Sequence, residues 1–174
     1  HITGTRPVAV EAFPVAPGLA GYLPNTSNKG TVAPSLIQMS NGGVVRNLMG
    51  ASTSDSHQQR VWGTLGAYAR GEDGVKLRLG ASGKSPMMKV TPHWEGLGEY
   101  AAQTGHGGGD FWTLYYFARE ILTGEKGPFD IYGSCDVTIP GIQALRSTME
   151  SGKPQEVPDF RKKADRDRYR DDDW

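Results

Sequence analysis

The sequence predicts an α+β fold: an open, mostly antiparallel β-sheet with helices packed on one face. Three observations carry this. From Arg6 to about Thr91 the chain runs in short stretches rich in β-formers, separated by glycine-containing turns. From Phe111 onward the apolar residues recur with the period of a helix. The links between the strand-like runs are too short for parallel crossovers, so neighbouring strands must be antiparallel.

The elements follow in order. Pro7 to Val15 alternates and reads as the first strand. Residues 14–30, rich in Pro, Gly and Asn, form a long loop, and a loop of that length is usually functional or mobile. Ala33–Ser40 and Gly43–Ala51 flank Asn41-Gly42, a strong local signal for a hairpin. Gln59–Trp62, Ala67–Arg70, Val75–Leu79 and Met87–Thr91 are further short strands, parted by glycine turns. Phe111, Leu114, Tyr115, Ala118, Ile121 and Leu122 then share one helical face. Asp110 stands at the N-cap position and Gly124 at the stop. A second helix is expected from about Asp136 to Ser151, with Ile139, Ile142, Leu145 and Met149 as its stripe. Pro140 falls in or near its first turn, where a missing N–H costs least.

Composition narrows the function classes. The chain has 174 residues, enough for one ordinary domain, with 19 basic and 19 acidic side chains and no net charge. That speaks against a nucleic-acid binder working through bulk positive charge and against a basic membrane-surface protein. The single cysteine, Cys135, leaves no internal disulfide framework and no cysteine-built zinc cage. No run of about 18 apolar residues is present, so no helical membrane span is expected. His1–Arg6 lacks the basic and apolar regions of a signal peptide, and a chain that enters a strand at once reads as part of something longer. The last 14 residues carry six basic and five acidic side chains; they are expected as a solvated arm or frayed helix, or else as a segment docking Tyr169 and Trp174 on a partner domain.

Thr104-Gly-His-Gly-Gly-Gly-Asp110 is the most informative stretch. Its glycines leave the backbone bare where a helix begins, and a helix N-terminus offers unpaired N–H groups to a ligand. His106 would then meet a ligand hydroxyl; the alternative is an ordinary turn with His106 exposed. Gly96-Leu-Gly98-Glu-Tyr-Ala101 matches a dinucleotide fingerprint in letters only, because Gly105 leaves room for barely two helical turns. His57 and His93 are isolated in sequence and no local metal-ligand spacing appears. Cys135 reads as a small buried residue. Asn25-Thr-Ser27 is a formal glycosylation sequon of a kind frequent by chance.

Asn41-Gly-Gly-Val-Val45, Gln59-Arg-Val-Trp-Gly-Thr-Leu-Gly66, Gly105-His-Gly-Gly-Gly-Asp110, Gly127-Pro-Phe-Asp-Ile-Tyr132 and Glu156-Val-Pro-Asp-Phe160 follow a familiar order. Together they resemble the C-terminal domain of the Gfo/Idh/MocA oxidoreductases, from about Gly4 to Phe160. The GHGGGD helix entry and the closing V-P-D-F resemble one branch most, the NAD-dependent glycosidases of the α-N-acetylgalactosaminidase type.

The resemblance implies a two-domain enzyme. Residues 1–160 would be a single substrate-binding and oligomerisation domain, residues 161–174 a charged tail. A Rossmann domain holding NAD(P) would precede them and is absent from this chain, which by itself is expected to bind no cofactor and to be inactive. Implied partners are that Rossmann domain, a carbohydrate substrate, and further copies of the chain joined through the sheet face. The reaction implied first is NAD(P)-dependent oxidation or reduction of a sugar or related polyol. The alternatives are a redox-assisted glycosidase, in which oxidation of a ring hydroxyl acidifies the neighbouring C–H so that the leaving group is eliminated, and a non-catalytic dimerisation module. The catalytic residues would lie upstream. His106, Gly107, Gly108 and Asp110 resemble positions lining the substrate pocket, His106 as a hydroxyl-binding or proton-relay group and Asp110 as the residue that caps the helix and orients the loop.

Overall fold

The computed structural model describes residues 4–13, 34–48, 58–80 and 84–172. The loop over residues 14–30, the Asn25 sequon, His57 and Trp174 lie outside the described residues. The elements are β1 (Pro7–Ala12), β2 (Ser35–Met39), β3 (Val44–Asn47), β4 (Gln59–Gly63), β5 (Gly66–Gly71), β6 (Gly74–Leu79), β7 (Met88–Val90), α1 (Gly98–Ala101), α2 (Gly109–Thr123), α3 (Ile131–Met149), β8 (Gln155–Glu156) and α4 (Lys163–Arg168). Every described strand pair is antiparallel, as the short links required. The strands divide into two ladders, β3-β2-β1-β8 and β4-β5-β6-β7, and with the helices they make an α+β fold. The contacts divide the chain into two compact units, residues 1–54 with 129–174 and residues 55–128.

The first unit holds the main core. Val10 and Ala12 of β1 are almost fully buried and pack with Ala144 and Val157, flanked by Ile37 and Ile139. The Asn41-Gly42 hairpin forms as expected: Gly42 sits at φ +82°, and the Gly43 N–H donates to Asn41 Oδ1 at 3.0 Å. Helix α3 is pinned to β1 by Ser147, whose buried hydroxyl accepts from Ala12 N–H at 2.9 Å and donates to Ala12 C=O at 3.3 Å. Gly152, at φ +89°, lies where a Cβ would come within 2.3 Å of the Phe13 ring, so only glycine fits there.

Helix α3 departs from the sequence expectation at its start. It begins at Ile131, five residues earlier, because Asp130 caps it by accepting from Gly133 N–H at 2.7 Å. Pro140 therefore lies in the helix interior and is buried, rather than in the first turn.

In residues 161–172 the helical alternative is the one that forms, tied down rather than frayed. They fold as α4 with a return against α3. Arg166 donates to the carbonyls of Phe160 and Arg161, the Tyr169 ring meets Phe160 at 6.1 Å, and Arg146 lies over Tyr169 and pairs with Asp172. Beside them Arg161 holds Asp136 through both nitrogens and reaches Asp159 at 3.2 Å, while Arg6 donates to Val157 C=O at 3.0 Å. Burial alone would push the Asp159 carboxyl up. Hydrogen bonds from Arg161 backbone and side chain, with the charges of Arg6 and Arg161, hold it below its ordinary value.

The second unit is a four-stranded meander followed by α1 and α2. Its expected helix forms over Gly109–Thr123 and stops at Gly124, which takes the left-handed conformation at φ +71°. The predicted apolar stripe does not become a core face. Leu114 and Ile121 are each 68% exposed and Leu122 83%, while Phe111, Trp112, Tyr115 and Tyr116 pack on one another as an aromatic cluster. No helix among the described residues is long and apolar enough to cross a membrane.

Candidate functional site

The glycine run makes a tight, left-handed entry into α2. His106, Gly107 and Gly108 have φ of 54°, 64° and 94° in succession. Glycine tolerates that region freely; a histidine does not, so His106 holds a conformation that most residues avoid. Gly108 is buried, and a Cβ there would come within 2.9 Å of Trp94 Nε1 and 3.3 Å of Ala101. Trp94 in turn donates from Nε1 to Gly107 C=O at 3.3 Å and leans on Trp112 with ring centres 5.4 Å apart. The turn is thus clamped from the side by an indole.

Asp110 is not the N-cap. Gly108 occupies that position, and Asp110 lies in the first helical turn. The side chain serving the helix end is Thr104, whose hydroxyl accepts from Phe111 N–H at 3.3 Å and donates to Ala101 C=O at 2.9 Å. Asp110 instead reaches back one turn, and its Oδ1 lies 2.9 Å from His106 Nδ1. Gly105 makes room for this, since a Cβ there would sit 2.5 Å from Asp110 Oδ2.

This pair has a definite chemistry. An ionised carboxylate only accepts, so the hydrogen belongs on Nδ1, and Nε2 is left as the acceptor of the neutral ring. The His106 side chain is 86% exposed, so a ligand hydroxyl can reach it. A histidine held in one tautomer by a carboxylate is suited to take a proton from a hydroxyl and to return it.

Of the sequence-predicted site residues, His106, Gly107, Gly108 and Asp110 come together in one turn. Thr104, the first residue of the glycine-rich stretch, completes it with Trp94 and Trp112, and the two tryptophans were not singled out. Trp94 stood two residues from Pro92, beside a histidine read only as an isolated ligand candidate. Trp112 Nε1 is buried with no hydrogen-bond partner among the described residues.

The remaining candidates separate from this turn or change character. His93 is exposed. Cys135 is half-buried rather than buried, in a groove with Tyr132, Phe160 and Tyr169. Among the described residues no three His, Cys, Asp or Glu side chains gather as a metal site. Nor do the residues fit a dinucleotide. Helix α1 has only four residues, and Gly98 is explained by packing, since a Cβ would lie 2.6 Å from Trp94 Cβ. With antiparallel ladders only, the described residues contain no βαβ unit of the kind that binds NAD.

The described residues make an α+β fold that displays a carboxylate-held histidine at a helix entry. A family model described as "Glycosyl hydrolase 109, C-terminal domain" matches residues 26–166, and the chain belongs to that family. A glycosyl hydrolase family 109 protein of Streptomyces niveus is 26% identical over 132 residues, covering 72% of this chain and 27% of that protein. Another, from Solibacter usitatus (strain Ellin6076), is 33% identical over 70 residues, covering 40% of this chain and 16% of its own length. The chain therefore spans well under half the length of these relatives.

Proposed function

We propose that this chain is the substrate-facing and assembly domain of an NAD-dependent, redox-assisted glycosidase, with His106 contacting a ring hydroxyl of the sugar. The family match favours glycoside cleavage over dehydrogenation of a free sugar or polyol, the reaction the resemblance implied first. The nucleotide belongs to a Rossmann domain outside these residues, where it would supply reversible oxidation of the sugar. The observation that carries the reading is the His106–Asp110 pair at 2.9 Å on a strained, exposed turn. Asp110 fixes the tautomer, Gly107 and Gly108 let a ligand approach the backbone, and Nε2 holds or accepts the hydroxyl proton.

The test is His106→Ala in the full-length enzyme. The expected result is a loss of about 100-fold in kcat/KM at an unchanged Tm. Wild-type kinetics, or a Tm drop that accounts for the loss, would reverse the assignment. Calorimetry of the isolated chain with NAD is expected to show no binding, and micromolar affinity would overturn the division of labour.

A further inference from the structure

We propose that one face of the β4–β7 sheet is a secondary binding face for an anionic glycan, apart from the glycine turn. Antiparallel register places residues directly opposite one another on the same face of a sheet. Trp62, Ala67 and Arg78 form one such row, and Arg60, Ala69, Lys76 and Lys89 the next. The central strand β5 thus contributes only Ala67, Ala69 and Gly71 to this face. Arg60 and Trp62 rise on one side of that low floor, and Lys76 and Arg78 on the other, with Lys89 beyond. From β4 to β7 the trough spans three strand spacings, about 14 Å. Around Ala69 it deepens into a depression walled by Arg60 and Lys76, with Glu72 and Asp73 at its turn end.

The charge on this face is unbalanced. Asp73 holds Lys76 at 3.2 Å. Arg60, Arg78 and Lys89 have no ion-pair partner among the described residues, and Arg78 Nε is buried without an acceptor. A protein with no net charge has concentrated cations on one surface. Trp62 stands among them 70% exposed, a flat ring that can stack on the apolar side of a pyranose. Carboxylate or sulfate groups of an acidic polysaccharide satisfy the cations, and its sugar rings satisfy the indole.

Two other occupants fit less well. A second copy would set Arg60, Arg78 and Lys89 against like charges, which opposes use of this particular face for self-association. A single-stranded nucleic acid would favour successive aromatic platforms, and this face has one. The proposal uses the glycosyl hydrolase family membership but not the role given to His106.

The test is affinity electrophoresis of the protein through gels containing polygalacturonate, neutral dextran or a single-stranded oligodeoxynucleotide. Polygalacturonate is expected to retard the protein at low salt and dextran to leave it unmoved. Joint Arg60→Glu and Lys89→Glu replacement, both at exposed positions, should weaken binding about tenfold or more. Trp62→Ala should weaken it several-fold with little change in the salt dependence, and His106→Ala should leave it as it was. No retardation by polygalacturonate overturns the proposal. So does oligonucleotide binding that is stronger and equally sensitive to Trp62→Ala, or a dimer in sedimentation that the Trp62→Ala change abolishes. Circular dichroism melting of each variant separates lost binding from lost fold.

Discussion

The two units of this chain solve opposite problems. In the unit built on β1 and α3, apolar and polar groups are buried together: Val10, Ala12 and Val157 fill a core, while Ser147 and Gln143 close backbone bonds from inside it. The unit of β4–β7 and α2 buries little beyond Ala67 and Ala101, and leaves Trp62, Leu114, Ile121 and Leu122 in the open. Yet this unit carries both the His106–Asp110 turn and the cationic sheet face. Its geometry is set locally, by turns, ladders and one indole clamp. The main buried core and the candidate site thus lie in different units, and substitutions in the two units should have different readouts.

The largest effect is expected at Gly152. Gly152→Val combines a left-handed backbone with a clash on Phe13 and should destabilise the fold by about 3 kcal/mol in urea unfolding. A midpoint close to wild type would break the comparison at its stable end. Next comes Gly108→Ala, where both the positive φ and Trp94 stand in the way. A loss of about 2 kcal/mol is expected, with a change in tryptophan fluorescence. Unaltered fluorescence would mean that Trp94 does not clamp the turn.

A smaller effect concerns acid. The carboxyl of Asp159 is held below its ordinary value in the folded protein, so its contribution is full above the unfolded value, near 4, and is lost as pH falls through the folded one. Wild-type Tm should therefore drop between about pH 5 and about pH 2 more steeply than that of Asp159→Asn. Parallel curves would remove the Arg6–Asp136–Arg161–Asp159 cluster from the account. The smallest effect is expected for Leu122→Lys, within about 0.5 kcal/mol, because its side chain is 83% exposed among the described residues. A large drop would show that α2 is covered after all.

How much the amino-acid order revealed follows the same division. Strands β1 to β7 were readable because each is bounded by a local signal, such as Asn41-Gly42 or Gly71-Glu-Asp-Gly74. The start of α3 was not, because Pro140 looks like a first-turn proline and Gly133 hides the Asp130 cap. α4 was legible only as a frayed helix, because its charges alternate with no apolar stripe; what holds it is Arg166 and Tyr169 returning to Phe160. The bare glycine turn at the entry of α2 was legible, whereas Asp110 was given the wrong partner. A carboxylate one residue inside a helix can cap or reach back a turn, and only the left-handed run at 106–108 decides between them. The use of Trp94 depends on Gly98 and Gly108 leaving space for it, a relation that no linear motif encodes.

The central claim is that His106 and Asp110 act as one unit on the substrate. A double-mutant cycle in kcat/KM tests it most directly, with a chromogenic α-N-acetylgalactosaminide and the full-length enzyme. Asp110→Asn alone should cost about tenfold and His106→Ala about 100-fold. The account predicts that the double variant is no worse than His106→Ala, since Asp110 works through the imidazole. Losses that multiply to about 1000-fold would contradict it, and would make Asp110 and His106 independent.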